Sequence, residues 1–192
     1  MKVKYYLKNT KDIIIPSRAN ETDAGYDVTA TSGPKVVYAN PKADGHVGRI
    51  DYVEYETNLY FVPETKSPIY TESAFNSDNY TNFHTDLRPR SSISSKTNFV
   101  LANSIGLIDR GYHNQVLVRF KYIWQPEDLK LVGIEPFTQI VGNYDLRRMY
   151  SKGDKIAQLL PVQTHDIEFH RVDDLPGENR GGGFGSTDEK KV

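Results

Sequence analysis

Along most of the chain apolar residues recur at every second position, the spacing of a half-buried strand rather than of a helix. The pattern is clearest at 115–122, QVLVRFKY, where Val116, Val118, Phe120 and Tyr122 alternate with Leu117, Arg119 and Lys121. Shorter runs at 2–7, 12–15, 57–62, 97–101, 156–162 and 166–171, each bounded by Gly, Pro, Asn, Asp or Ser, predict further strands. Only 126–132 and 143–150 predict helical turns, both short. The expected architecture is a single all-β domain, sandwich or barrel-like.

Two stretches fit this pattern poorly. Residues 63–86 are polar and turn-rich and predict an extended surface loop. Residues 124–150 hold the only Trp among mixed apolar and charged positions and predict a small packed excursion.

Composition narrows the class. The 192 residues suffice for one domain with a real core, and 13 Tyr and 10 Pro suit pleated surfaces and turns. A formal charge of −1 gives no footprint for nucleic acid or an anionic membrane, so any phosphate binding must be local. The absence of cysteine excludes a disulfide framework, a thiolate nucleophile and thiolate-bound metal. No run approaches the roughly 18 apolar residues of a membrane span, so a soluble, cytoplasmic protein is expected.

Five segments carry candidate chemistry. The last, RGGGFGST at 180–187, suits a nucleoside triphosphate: glycines allow close backbone approach, Ser186 and Thr187 add hydroxyls, Arg180 a planar cation and Phe184 a flat face. A nucleotide P-loop is disfavoured, since the Lys of that motif is missing. DAGYDV at 23–28 places two carboxylates around a Gly, and alone it reads first as a turn entering a strand. RPRSSISS at 88–95 sets Arg90 before a run of hydroxyls, suited either to an anion or to helix capping. NSIGLIDRGY at 103–112 reads as a hairpin around Gly106 whose free backbone edge could pair with a base, or whose Asp109 and Gly111 merely turn the chain. GDKIAQ at 153–158 is a turn into a buried strand in which Gln158 interrupts the apolar pattern.

Taken together and in order, DAGYD, RPRSS, GLIDRGY, GDKIAQL and RGGGFGST resemble the five motifs of the trimeric deoxyuridine triphosphatase (dUTPase) family, with VDDLP at 172–176 similar to the usual lead-in to the fifth. The resemblance spans residues 23–187. It implies a jelly-roll-like all-β subunit over 1–178, with insertions at about 63–86 and 124–150 and a flexible tail at 179–192. It also implies a homotrimer with active sites at subunit interfaces, and hydrolysis of dUTP to dUMP and pyrophosphate with Mg²⁺. Asp109 would activate the attacking water. Uracil would lie on the hairpin of Asn103, Gly106, Leu107 and Ile108, with Tyr112 against the deoxyribose. Arg90, Ser91, Ser92 and Gln158 would bind phosphate, and Asp27 would hold Mg²⁺ through water. In the tail, Phe184 would stack on uracil, with Arg180, Gly185, Ser186 and Thr187 closing over the phosphates. The chain departs from the family at His113-Asn114, at Asp188 and in a spacing one residue shorter between Arg180 and Phe184. The second insertion lies where some phage members also carry extra sequence, so a phage or viral origin, with a host-cytoplasmic location, fits the resemblance.

Two other functions are weighed against this one. A dCTP deaminase-like or bifunctional enzyme would share the fold, but that branch places a proton-shuttling Glu ten residues after the Asp of the third motif, where this chain has Arg119, which cannot shuttle protons at neutral pH. A nucleotide-dependent regulatory protein would use the insertions to grip a protein partner.

Overall fold

The computed structural model of the chain describes residues 4–39, 49–63, 82–132, 139–165 and 167–178. In chain order its strands are β1 (Tyr5–Leu7), β2 (Tyr26–Thr29), β3 (Lys35–Ala39), β4 (Arg49–Tyr55), β5 (Phe61–Pro63) and β6 (Asn82–Pro89). One helical turn, α1 (Ile93–Lys96), then precedes β7 (Phe99–Leu101), β8 (Gly106–Ile108), β9 (Val118–Tyr122), β10 (Leu129–Val132), β11 (Gln139–Gly142) and β12 (Lys155–Thr164). Two four-stranded antiparallel sheets, ordered β2-β12-β6-β8 and β3-β4-β9-β7, carry the fold. Beside them stand the small pairs β1-β5 and β10-β11. Among the described residues no helix is long and apolar enough to cross a membrane.

Alternation along the strands explains the packing. Val118 and Phe120 on β9 point into the core with Val53 and Tyr55 of β4, while Val28, Leu87, Ala157 and Leu159 come from the other sheet. An aromatic knot fixes the centre: Phe99 stacks on Phe120 at 5.0 Å, and Tyr55 meets Phe120 edge-on at 5.8 Å. Such a buried Phe contributes about 1.5–3 kcal/mol through apolar burial. The Tyr55 hydroxyl donates to the Tyr150 carbonyl at 3.0 Å, tying the segment after the second excursion to the core.

Several expected elements differ. Residues 12–15 form no strand, because Asp12 adopts φ 63°, a left-handed turn, and only the bridge Ser17–Asp27 follows. The strand expected at 57–62 begins only at Phe61: Asn58 is left-handed (φ 51°) and Thr57 staples the bend by donating to the Val116 carbonyl at 2.6 Å. Residues 167–171 join no strand among the described residues, and Phe169 is 90% exposed. The loop expected at 63–86 lies mostly outside the described residues, and its last part, from Asn82, belongs to β6. Within 126–132 only Pro126–Asp128 form a 3₁₀ turn, closed by reciprocal capping between Gln125 and Asp128, before β10 starts. The turn expected at 143–150 is a single 3₁₀ turn, Leu146–Arg148.

The described part of the second excursion is packed, as expected. Tyr122, Trp124 and Tyr144 form an aromatic platform with centroids 4.8–5.1 Å apart. The Tyr122 hydroxyl donates to Asp128 at 3.0 Å and accepts from Asn98 and from the Asp145 amide, both at 3.1 Å. Gly142 must be Gly: a Cβ there would lie 2.8 Å from Trp124.

Candidate active site

The strand register assembles one cluster. Asp27 on β2 lies opposite Gln158 on β12, which in turn lies opposite Arg88 on β6. Successive side chains alternate faces, so Asp27 and Gln158 share the face opposite Val28 and Ala157. Arg90 follows the end of β6 and Lys155 opens β12, so both reach the same spot. Gln158 Nε2 donates to Asp27 Oδ1 at 3.1 Å, and Lys155 Nζ donates to Oδ2 at 2.8 Å. Arg90 Nε lies 3.3 Å from Oδ1, an ion pair without hydrogen-bond alignment, while its Nη1 donates to the Lys155 carbonyl at 3.3 Å.

Asp27 is only 6% exposed. Burial pushes its carboxyl up, but hydrogen bonds from Lys155 and Gln158 and the charges of Arg90 and Lys155 outweigh this and hold it below the usual carboxylate value. It is therefore a buried anion at neutral pH. Gly25 allows the arrangement, since a Cβ there would come within 3.1 Å of Gln158.

Ser91 and Ser92 enter α1, yet the Ser92 hydroxyl makes no capping bond. The capping alternative for this run therefore fails at the N-cap itself.

The second group gathers at the other edge of the same sheet. The expected hairpin around Gly106 is not a hairpin: β7 belongs to one sheet and β8 to the other, so residues 102–105 arch between the two sheets. Ser104 turns the arch with φ 54°, and Ser104 N–H donates to the Leu101 carbonyl at 3.1 Å. Ala102 N–H donates to the Arg119 carbonyl at 2.9 Å, anchoring the arch to β9. Gly106 packs so closely that a Cβ would meet Leu87 Cβ at 3.1 Å and Asn103 Nδ2 at 3.3 Å. Because β8 is the last strand of its sheet, its outer backbone edge has no strand partner among the described residues.

That edge borders a cavity of about 550 Å³ whose walls include Asn103, Gly106, Leu107, Ile108, Tyr112 and Arg119. Asp109 follows β8 directly and is exposed. The Tyr112 amide donates to the Asp109 carbonyl at 3.1 Å, and the Tyr112 hydroxyl donates to the Gln115 carbonyl at 2.9 Å, which ties the ring to Gln115. Arg119 donates to Glu54 at 2.9 Å and lies over the Tyr52 ring at 4.5 Å, so the position where a deaminase needs an acid holds a paired cation.

The sequence-derived residues thus fall into two groups: Asp27, Arg90, Ser91, Ser92 and Gln158 in one, Asn103, Gly106, Leu107, Ile108, Asp109 and Tyr112 in the other. Arg180, Phe184, Gly185, Ser186 and Thr187 lie outside the described residues. Lys155 was missed. Its pairing with Asp27 crosses a register shift between Lys155 and Ala157, which no spacing rule reveals.

The two groups do not meet within one chain. Ile108 lies opposite Thr85, and Arg90, just past the end of β6, stands five residues after Thr85. At ~3.3 Å per strand residue, Asp109 and Arg90 are separated by about 20 Å.

No protein-family model matches the chain. A deoxyuridine 5'-triphosphate nucleotidohydrolase of Neisseria gonorrhoeae is 30% identical over 174 residues, 90% of this chain and 87% of that relative. The enzymes of the same name from Hahella chejuensis and Streptomyces griseus are 37% and 33% identical over 105 and 104 residues. Those two matches take in 54% and 53% of this chain and about half of each relative, 56% and 47%. Among solved structures, a mutant dUTPase of Staphylococcus bacteriophage 80alpha with dUpNHpp superposes with a TM-score of 0.63 at 20% identity, over 96% of this chain and 98% of the other. That likeness is one of fold.

Proposed function

The chain belongs to the deoxyuridine 5'-triphosphate nucleotidohydrolase (dUTPase) family, and from that premise we propose that it hydrolyses dUTP to dUMP and pyrophosphate. The observation that carries the reading is the open edge of β8 beside the cavity, with Asp109 at its exit. A free strand edge offers an alternating donor and acceptor row, which can pair with the edge of uracil as it would with another strand. Tyr112, held by Gln115, closes against the sugar and leaves no space for a 2′-hydroxyl. Asp109 then accepts a proton from the water that attacks the α-phosphorus, a role set by its position.

Arg90, Gln158 and the hydroxyls of Ser91 and Ser92 are the phosphate-binding groups of this reading. Mg²⁺, when bound, would neutralise charge on the triphosphate oxygens. The donor set fits a hydrated ion that takes its direct ligands from the substrate. Asp27 is the one carboxylate of its cluster, and among the described residues no group of three or more His, Cys, Asp or Glu is suited to hold a metal.

The ~20 Å between Asp109 and Arg90 exceeds what a base and a phosphate cradle acting on one phosphorus allow. We therefore take each active site to be completed by a second copy of the chain, in a homotrimer. Residues 1–178 would form the enzyme body, and the tail at 179–192 would close over the nucleotide.

The test is pyrophosphate release with dUTP, dCTP or UTP and Mg²⁺. Rapid release from dUTP alone is expected. Ammonia release from dCTP would replace hydrolysis by deamination, and no turnover of any of the three would refute the enzyme reading.

A further inference from the structure

Asp27 is already occupied. Its carboxylate offers about four lone-pair sites, and Lys155, Gln158 and Arg90 crowd both oxygens at 2.8, 3.1 and 3.3 Å. Two cations, Lys155 and Arg90, already neutralise this carboxylate, so a hydrated metal ion gains little from it until one of them leaves. The three are not equally free to do so. Gln158 is fixed by strand pairing on both sides and backed by Gly25. Arg90 is tied to the Lys155 carbonyl through Nη1, and its side chain is 28% exposed. Lys155 sits at the mouth of β12, beside the register shift, with a side chain 44% exposed and its tip held by the contact of Nζ with Asp27.

We propose that Lys155 is an exchangeable cation: it neutralises Asp27 in the empty site, and when the metal–nucleotide complex docks it releases that carboxylate to the hydrated metal and moves to a phosphate oxygen of the substrate. The inference rests on the dUTP-hydrolase reading and adds a residue to its phosphate site. Chemistry favours lysine here. An ammonium is a compact point charge on a flexible stem that can change partners without a preferred planar geometry, whereas a guanidinium grips a carboxylate as a fork. Without the swap, a buried Asp27 carrying one cation too many would have nothing to offer the metal. Without Lys155, Arg90 alone would neutralise Asp27, and the empty site would have no spare cation for an incoming triphosphate.

The test is a binding cycle on the full chain with a non-hydrolysable α,β-imido dUTP analogue, measured by calorimetry with Mg²⁺ and with EDTA. Three proteins are compared: the native chain, Lys155→Met and Lys155→Arg. The ratio of the two Kd values reports the coupling between metal and nucleotide. Lys155→Met should raise that ratio at least about tenfold, the scale of one charge-assisted hydrogen bond. Metal-free nucleotide loses one of its cations, while Mg²⁺ meets an Asp27 contested by one cation fewer. Lys155→Arg should lower the ratio, because the firmer grip on Asp27 resists exchange. An unchanged ratio in both variants overturns the proposal and leaves Lys155 a static clamp, as does a native chain whose affinity is indifferent to Mg²⁺. If Lys155→Met does not fold, the Lys155→Arg ratio decides: lowered supports the exchange, unchanged or raised overturns it. Failure of the parent reading looks different: the native chain releases no pyrophosphate from dUTP, whatever the variants' binding ratios.

Discussion

The cluster around Asp27 and the arch around Gly106 share one sheet but are made in opposite ways. At the first, Lys155 and Gln158 of β12 and Arg90 just past β6 converge on a buried carboxylate of β2 before any ligand arrives. At the second, the working surface is main chain, an edge strand left without a strand partner among the described residues, beside an open cavity and with an exposed carboxylate at its exit. Prepaired charge suits phosphate, where position matters more than shape. An open backbone edge suits a base, where donor and acceptor order matters. On the proposed reading each end serves half of a nucleotide, and their separation of about 20 Å keeps the halves from serving the same molecule within one chain.

The largest expected effect tests the division of labour. Asp109→Asn should reduce kcat by roughly 10²–10⁴, the usual span for a general base, while binding of a non-hydrolysable dUTP analogue persists. The amide keeps the shape and removes the base. If binding falls as far as turnover, Asp109 only turns the chain after β8.

A mixing experiment then tests the separation itself. Asp109→Asn damages one half and Asp27→Asn the other, so the two variants unfolded and refolded together form mixed assemblies. When the halves come from different chains, random assembly leaves about a quarter of sites with both intact. Activity should rise well above either parent. No recovery would place both halves of each site on one chain and require them to move together.

A smaller effect is expected at the sugar. Tyr112→Ala should lower the ratio of kcat/KM for dUTP over UTP about tenfold, in the range where steric pockets discriminate small groups. An unchanged ratio would assign sugar recognition elsewhere.

How much of this was legible depends on the kind of contact. Val116, Val118 and Phe120 announced β9 because alternation records burial directly, and the all-β class followed. Residues 12–15 misled for the same reason: three isoleucines mimic a strand, while the left-handed Asp12 that bends the segment leaves no trace in hydrophobicity. Candidate residues were readable where spacing within one segment suggests a chemistry, as at Asp109 and Tyr112. Lys155 was not, because its value comes from Asp27, 128 positions away across a bulged register. The arch was misread as a hairpin since a turn with flanking apolar residues looks alike whether its strands pair with each other or enter separate sheets.

The smallest expected effect concerns stability. Asp27 is held below its usual carboxyl value because its hydrogen bonds and neighbouring cations outweigh burial. A carboxyl depressed by folding stabilises the native state above its unfolded value, near 3.9, and that stabilisation is lost as pH falls through the lower folded value. The window therefore lies below about pH 4. Urea midpoints measured at pH 7, 5, 4 and 3 should fall more steeply at the acid end for the native chain than for Asp27→Asn, which has no such proton to take up. If Asp27→Asn also retains the full acid loss, the charges around β2 and β12 do not support the fold. The cluster would then serve ligand binding alone.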